Sequence, residues 1–308
     1  MKSGSNLEKV LEAGHFAVTG EIGPPTGPDI EAVHRKAESL RGVVDAINVT
    51  DSQSAMVRMS SMSVSAIIVQ AGLEPIMQMT CRDRNRIAMQ ADILGAVGLG
   101  IRNLTCISGD HQSLGNQKGA KKAFDLDSMQ LLAVARRMRD EHRILGGEED
   151  FPAGAPLYLG AAASPFTRPL DFQALRLAKK IEAGADYVQT QCVYDIGMFE
   201  DWMASVRELG LHKKIRILAG VMPLKSAGMA RHMAANLPGI VIPAAVIERL
   251  AAAAKGKGGE TGLAICAETI QRLRAIEGLS GIHVMAIEWE HRIREIVETA
   301  GLLPRPLV

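Results

Sequence analysis

Aromatic residues are scarce: Phe, Tyr and Trp make up 4% of the 308 residues. A core with so few rings packs through aliphatic contacts, and the 15 methionines suit its irregular gaps. Cysteine is sparse as well. Cys81, Cys106, Cys192 and Cys266 are scattered, with no CxxC pair and no Cys/His cluster. That pattern argues against a disulfide framework and against a structural zinc site, and it favours the reducing cytoplasm. An excess of one charge is also missing, since 35 basic side chains meet 34 acidic ones. Such a balance argues against nucleic acid or an anionic membrane as the main partner. No apolar run reaches the roughly 18 residues of a membrane span, and the N-terminus has no signal-peptide core.

What is present is a regular alternation of short β-branched runs with longer amphipathic segments. The strand-like runs are Phe16–Glu21, Val43–Thr50, Pro75–Thr80, Asn103–Ser108, Leu157–Ala161, Tyr187–Gln191, Ile215–Val221 and His283–Glu288. Helical spacing occupies Ile30–Leu40, Arg84–Leu99, Leu126–Glu141, Phe172–Ala183 and Phe199–Leu209 between them. Several of these helices run into a glycine at the stop position: Gly72, Gly100, Gly184 and Gly210. Eight such units in one chain predict a closed (βα)8 TIM barrel, a single α/β domain over residues 1–308 with elaborated loops. A ninth run, Gly239–Pro243, stops at a proline before the helix-like Ala244–Ala254 and reads as part of the seventh connection. The rival, a doubly wound open sheet, places a glycine-rich phosphate loop after its first strand. Here that strand ends in Glu21-Ile22-Gly23-Pro24-Pro25, and two prolines lack the N–H donors of a phosphate cradle.

In a TIM barrel the active site lies at the C-terminal ends of the strands. Polar residues gather at those ends: Glu21, Thr50-Asp51, Gln78 and Thr80, Asp110, Gln189 and Gln191, and Glu288. Such a ring of amides, carboxylates and hydroxyls suits a polar heterocycle held by many hydrogen bonds. No Ser–His–Asp arrangement accompanies it, so acyl transfer is a poor match. Two long stretches stand out. Gly109–Asp125 leaves the fourth strand at the rim and reads as a lid over a cofactor, whereas Ala254–Gly262, with its KGKGG run, reads as a mobile solvated loop.

These strand ends resemble the methylenetetrahydrofolate reductase family. The matching pieces, in family order, are Glu21-x-x-Pro24-Pro25, Val49-Thr50, Met79-Thr80-Cys81, Gly109-Asp110, Lys180 through Ala183-Gly184-Ala185 with Thr190-Gln191, and Gly220-x-x-Pro223. The resemblance implies a flavin at the mouth, FAD or alternatively FMN, with no metal. It further implies reduction of 5,10-methylenetetrahydrofolate to 5-methyltetrahydrofolate by an oligomeric enzyme, with electrons from NAD(P)H or from an iron–sulfur partner subunit. It assigns Glu21 as the acid that protonates N10, and Asp110 as a second catalytic carboxylate near flavin and pterin. Gln191 joins Glu21 and Asp110 as a pterin-binding residue. Thr50, Gln78, Ser108, Gly109, Asp110 and Lys180 fall to the flavin. An acid serving N10 must hold its proton near neutral pH, which requires apolar burial or a nearby negative charge.

Some positions depart from the family pattern. Gln78 stands where a histidine is common, Ser108 where an arginine precedes Gly-Asp, and Gly160-Ala161-Ala162-Ala163-Ser164-Pro165 replaces Tyr-Pro-Glu-x-His. Ala227 occupies the place of an aromatic that stacks on folate or nicotinamide. Two other readings fit the same barrel: a pterin-dependent methyltransferase without flavin, and a non-catalytic assembly subunit.

Overall fold

A computed structural model describes residues 1–147, 151 and 153–308. A short helix, α1 (Asn6–Glu12), precedes strand β1 (Ala17–Ile22). There follow α2 (Ile30–Ser39), β2 (Ala46–Val49), α3 (Ser61–Gln70), β3 (Pro75–Thr80), α4 (Arg86–Gly98) and β4 (Asn103–Ile107). The middle of the chain supplies α5 (Ser128–Asp140), β5 (Tyr158–Ala163), α6 (Phe172–Ala183), β6 (Tyr187–Cys192), α7 (Ile196–Glu208) and β7 (Arg216–Val221). Three helices, α8 (Ala227–Asn236), α9 (Ala244–Ala251) and α10 (Gly258–Leu273), lead to β8 (Gly281–Val284), and α11 (Ile293–Thr299) follows. The strands pair in parallel and in sequence order, and β8 closes onto β1 through Ala17↔Gly281 to Gly20↔Val284. The expected (βα)8 barrel is the fold.

Alternation along each strand sorts the side chains. Val18, Ile47, Val49, Met77 and Leu104 belong to the large apolar core, which also takes in the inner faces of the surrounding helices. The opposite parity points into the barrel. At the N-terminal end Ala17, Ala46, Ile76, Tyr158, Tyr187 and Leu218 pack with Leu7, Val10 and Leu11, so α1 plugs the bottom. Glu74 fixes that plug by accepting the Asn6 and Leu7 backbone N–H groups at 2.5 and 2.8 Å. Burial pushes the Glu74 carboxyl above its ordinary range despite those bonds.

Two expectations need correction. The last strand is Gly281–Val284, so Glu288 does not end it. Glu288 sits in the following loop with φ 54°, its side chain 65% exposed and 3.5 Å from Lys36. Gly239–Pro243, as expected, is no strand but part of the seventh connection, leading into α9. The KGKGG stretch is only partly loop, because α10 begins at Gly258. Gly259 in this run packs closely, since a Cβ there would lie 2.8 Å from the Trp289 ring, and just beyond it a Cβ at Gly262 would lie 1.8 Å from the Leu224 carbonyl oxygen. The four helix-stop glycines, by contrast, behave as anticipated, with φ between 66° and 116°. Among the described residues, no helix is long and apolar enough to cross a membrane.

The barrel interior is filled by Tyr187, which stacks on Tyr158 at 5.2 Å and hydrogen-bonds Thr105 at 2.9 Å. Room for its ring comes from Gly160, where a Cβ would meet Tyr187 Cζ at 2.4 Å. Gly160→Ala should therefore destabilise the fold by about 1–3 kcal/mol, read as a lowered Tm by calorimetry. An unchanged Tm would show that the interior is not packed as described.

Candidate active site at the barrel mouth

The inward parity that carries Ala17 to the bottom carries Thr19 to mid-depth and Glu21 to the mouth. Gly20, between them, faces outward toward Val44, Leu40 and Ile293. The Glu21 side chain is 14% exposed. Its Oε2 accepts Asn48 Nδ2–H at 2.9 Å and lies 3.3 Å from His283 Nε2. Behind it, His283 Nδ1 faces Thr19 Oγ1 at 3.0 Å and Gln189 Nε2 at 3.3 Å. The Gln189 amide also reaches Thr19 Oγ1 at 3.3 Å. With an amide N–H directed at Nδ1, that nitrogen is the acceptor and Nε2 carries the hydrogen pointing at Glu21.

The outcome is an asymmetric carboxyl. Oε2 is held by two donors from the barrel wall, while Oε1 has no hydrogen-bond partner among the described residues and is left for a ligand. Asn48 is fully buried and its Oδ1 also lacks a partner, an unsatisfied acceptor beneath the mouth. Across the opening, Ala162 and Gln191 are exposed, and Gln78 is half-buried with no side-chain hydrogen bond among the described residues.

The other anticipated residues divide into two groups. Glu21, Gln78 and Gln191 share the inward parity and meet at the mouth. Thr50 is buried beside it and donates to Gln53 Oε1 at 2.7 Å. Asp51 and Thr80 form a lock instead of facing the opening. Asp51 Oδ2 accepts the Thr80 N–H and hydroxyl, each at 2.9 Å, and binds Arg84 at 2.7 Å. Gly109 has φ 85° and lies against Thr80. Exposed Ser108 meets Ser128 at 3.2 Å, and exposed Asp110 accepts the Ser54 N–H at 3.0 Å. The Gly109–Asp125 stretch docks on the loop after β2, where a Cβ at Gly115 would lie 1.8 Å from the Ala55 carbonyl oxygen. Lys180 turns its ammonium onto the Ala162 carbonyl, and burial, then the neighbouring Arg176 charge, lower it to about 8.

Sequence reasoning missed Asn48, His283 and Thr19. Parity was the available signal: each lies two residues below an inward strand-end residue or opposite one, as Gln189 lies two below Gln191. Ala227 is buried at the start of α8. Among the described residues, no group of three or more His, Cys, Asp or Glu is placed to hold a metal ion.

Comparison with known proteins follows the same line. A family model described as methylenetetrahydrofolate reductase matches residues 6–301. Methylenetetrahydrofolate reductase 1 of Schizosaccharomyces pombe is 26% identical over 246 residues, covering 79% of this chain and 38% of that protein. The probable methylenetetrahydrofolate reductase (NADPH) of Caenorhabditis elegans is 25% identical over 250 residues, with 79% and 35% covered. The chain thus spans little more than a third of the length of these relatives. A solved structure, an uncharacterized protein from Clostridium thermocellum described as binding two copies of 5-methyl-5,6,7,8-tetrahydrofolic acid, matches with a TM-score of 0.64. It is 14% identical and covers 95% of this chain and 99% of that one, a likeness of fold. With the family match running from α1 to α11, this chain belongs to the methylenetetrahydrofolate reductase family.

Proposed function

We propose that this chain, as one barrel domain, reduces 5,10-methylenetetrahydrofolate to 5-methyltetrahydrofolate with Glu21 as proton donor. The observation that carries the reading is the divided Glu21 carboxyl, one oxygen held by the wall and the other presented to the mouth. The named activity of the relatives supports it, as does the folate bound by the Clostridium thermocellum protein of the same fold. The four buried free cysteines support a cytoplasmic setting.

The substrate is a cyclic aminal and accepts no hydride until its ring opens. A proton on Oε1 passes to N10, the C–N10 bond breaks, and the electron pair of N5 makes the iminium. Glu21 is left as a carboxylate whose Oε2 already faces Asn48 Nδ2–H and His283 Nε2–H. Those donors are in place before the charge develops, so they stabilise it without reorganisation. Thr19 and Gln189 hold the imidazole with its N–H toward Glu21. Gln191, exposed at the same opening, is placed to donate to and accept from the pterin edge.

The residues present fit a flavin. The alanine end of β5 leaves the mouth open, Asn48 offers an unsatisfied acceptor, and Lys180 lies at the rim. Thr50, Gln78, Ser108, Gly109, Asp110 and Lys180 would hold it, as FAD or FMN. When bound and reduced, it supplies the hydride that turns the iminium carbon into a methyl group. Ala227, where an aromatic would stack on nicotinamide, supports electron entry through an iron–sulfur partner subunit over direct NAD(P)H oxidation.

Glu21→Gln keeps shape and hydrogen bonds but has no proton to give. Single-turnover reduction of methylenetetrahydrofolate by the pre-reduced protein should slow by about 10²–10⁴-fold; an unchanged rate removes the mechanism. His283→Asn should lower kcat by about tenfold while leaving KM within about twofold, whereas a rise in KM alone would make His283 a binding residue. The purified chain should oxidise NADH only slowly without a partner. Rapid turnover by the chain alone contradicts partner-fed electron entry.

A further inference from the structure

On the outside of the barrel, the solvent face of α4 has the composition of an interior. A surface helix ordinarily turns charged residues outward, as α2 does with Glu31, Arg35 and Glu38. On α4 the outward residues are Ile87, Ala91, Leu94, Gly95 and Gly98, all exposed and none of them polar. Ile87 is 75% exposed and Leu94 43%. The apolar strip continues on both flanks. Met62 of α3 would lie 3.8 Å from a Cβ on Gly95. On the other flank the loop after α5 docks through the Leu145 N–H on Gln90 Oε1 at 2.6 Å, and it adds exposed Ile144. An exposed apolar patch of this kind marks an interaction site. The two glycines are an independent sign. Glycine is a poor helix residue, and the fold itself does not require it at either position. A Cβ at Gly98 would meet nothing within 4 Å, and one at Gly95 only Met62 at ordinary contact distance. Neither glycine has the left-handed backbone that favours it. Space kept open on a solvent face has a use when another chain closes onto it.

We infer that this face docks a second copy of the chain, with the two α4 helices antiparallel. In that arrangement the face is complementary to itself. A twofold axis crossing α4 between positions 92 and 93 brings Ile87 onto the partner's Gly98 and Leu94 beside the partner's Ala91. Each large side chain thus meets a small one, and symmetry repeats both contacts. A parallel pairing would instead set Ile87 on the partner's Ile87 and leave the glycines facing each other. The charges agree as well, since the positive N-terminal end of each α4 lies beside the negative C-terminal end of the other. The 13 residues of α4 run for about 20 Å. With half of each neighbouring element the strip is also about 20 Å wide. Two copies therefore bury roughly 800–1,000 Å² in total, at the lower bound of a specific interface. Such a dimer is reversible. The inference is independent of the reading of the mouth, because the face lies outside the barrel.

The test is sedimentation equilibrium of the full chain over concentrations of about 1–200 µM. The wild type should show a monomer–dimer step with a Kd of about 1–100 µM. Leu94→Glu sets a charge beside the axis and should weaken that step by at least about tenfold, with an unchanged far-ultraviolet circular dichroism spectrum. Gly98→Leu fills space that is open in the monomer, so the fold accepts it, but it blocks entry of the partner's Ile87 and should also weaken the step. Ile87→Ala/Gly98→Leu exchanges the large and the small residue. It should associate at least about threefold more tightly than Gly98→Leu alone, a recovery specific to the antiparallel register. A wild type that stays monomeric at the highest concentration leaves the face to a different partner and overturns the inference. A dimer left intact by Leu94→Glu, or an exchanged variant without recovery, overturns it too.

Discussion

Across the mouth of the barrel, one carboxyl group is tied to two strands that are not its own. Glu21 on β1 takes one hydrogen bond from Asn48 on β2 and faces His283 on β8. His283 in turn is fixed by Thr19 and by Gln189 across the lumen on β6. Such an arrangement exists only if the barrel is closed, since the β1–β8 seam brings His283 level with Thr19. The packing below it serves the same end. Tyr187 fills the lumen beside Gly160, and α1 seals the bottom. The polar network thus sits on a packed, buried floor.

The rim adds a second constraint. After β2 the backbone adopts positive φ at three residues that are not glycine, Ser52, Ser54 and Ala55. Such conformations are costly and persist only where the surroundings hold them. Here the clamps are Asp110, which takes the Ser54 N–H, and buried Arg82, which reaches the Ser52 and Asp110 carbonyls at 3.3 and 3.2 Å. Asp110 thereby shapes the loop next to Thr50. A carboxylate already engaged with the backbone adds a structural duty to the role that the resemblance assigns it.

Most of the architecture was legible in the sequence, because it depends on periodicity and on glycine stops. Seven of the eight strand runs were placed within a few residues, and α6 matches its anticipated span. The eighth strand slipped because Met285-Ala286-Ile287 continues an apolar run past the point where pairing ends at Val284. The candidate site was only partly legible. Glu21 and Gln191 were visible because a polar residue at a strand end is conspicuous. Asn48, Thr19 and His283 lie one inward step deeper, where a polar residue reads as a buried oddity until strand register reveals its partner.

The central claim concerns where a proton sits. As bound 5,10-methylenetetrahydrofolate is turned into 5-methyltetrahydrofolate, Glu21 should pass from carboxylic acid to carboxylate. Infrared difference spectroscopy across a single turnover at neutral pH, on the wild-type chain with 13C-labelled glutamate carboxyls and on Glu21→Gln, measures this directly. The expected result is the loss of an isotope-shifted acid C=O band and the gain of carboxylate bands in the wild type, both missing from the variant. A wild-type spectrum with no such change at Glu21 would contradict proton donation by this residue.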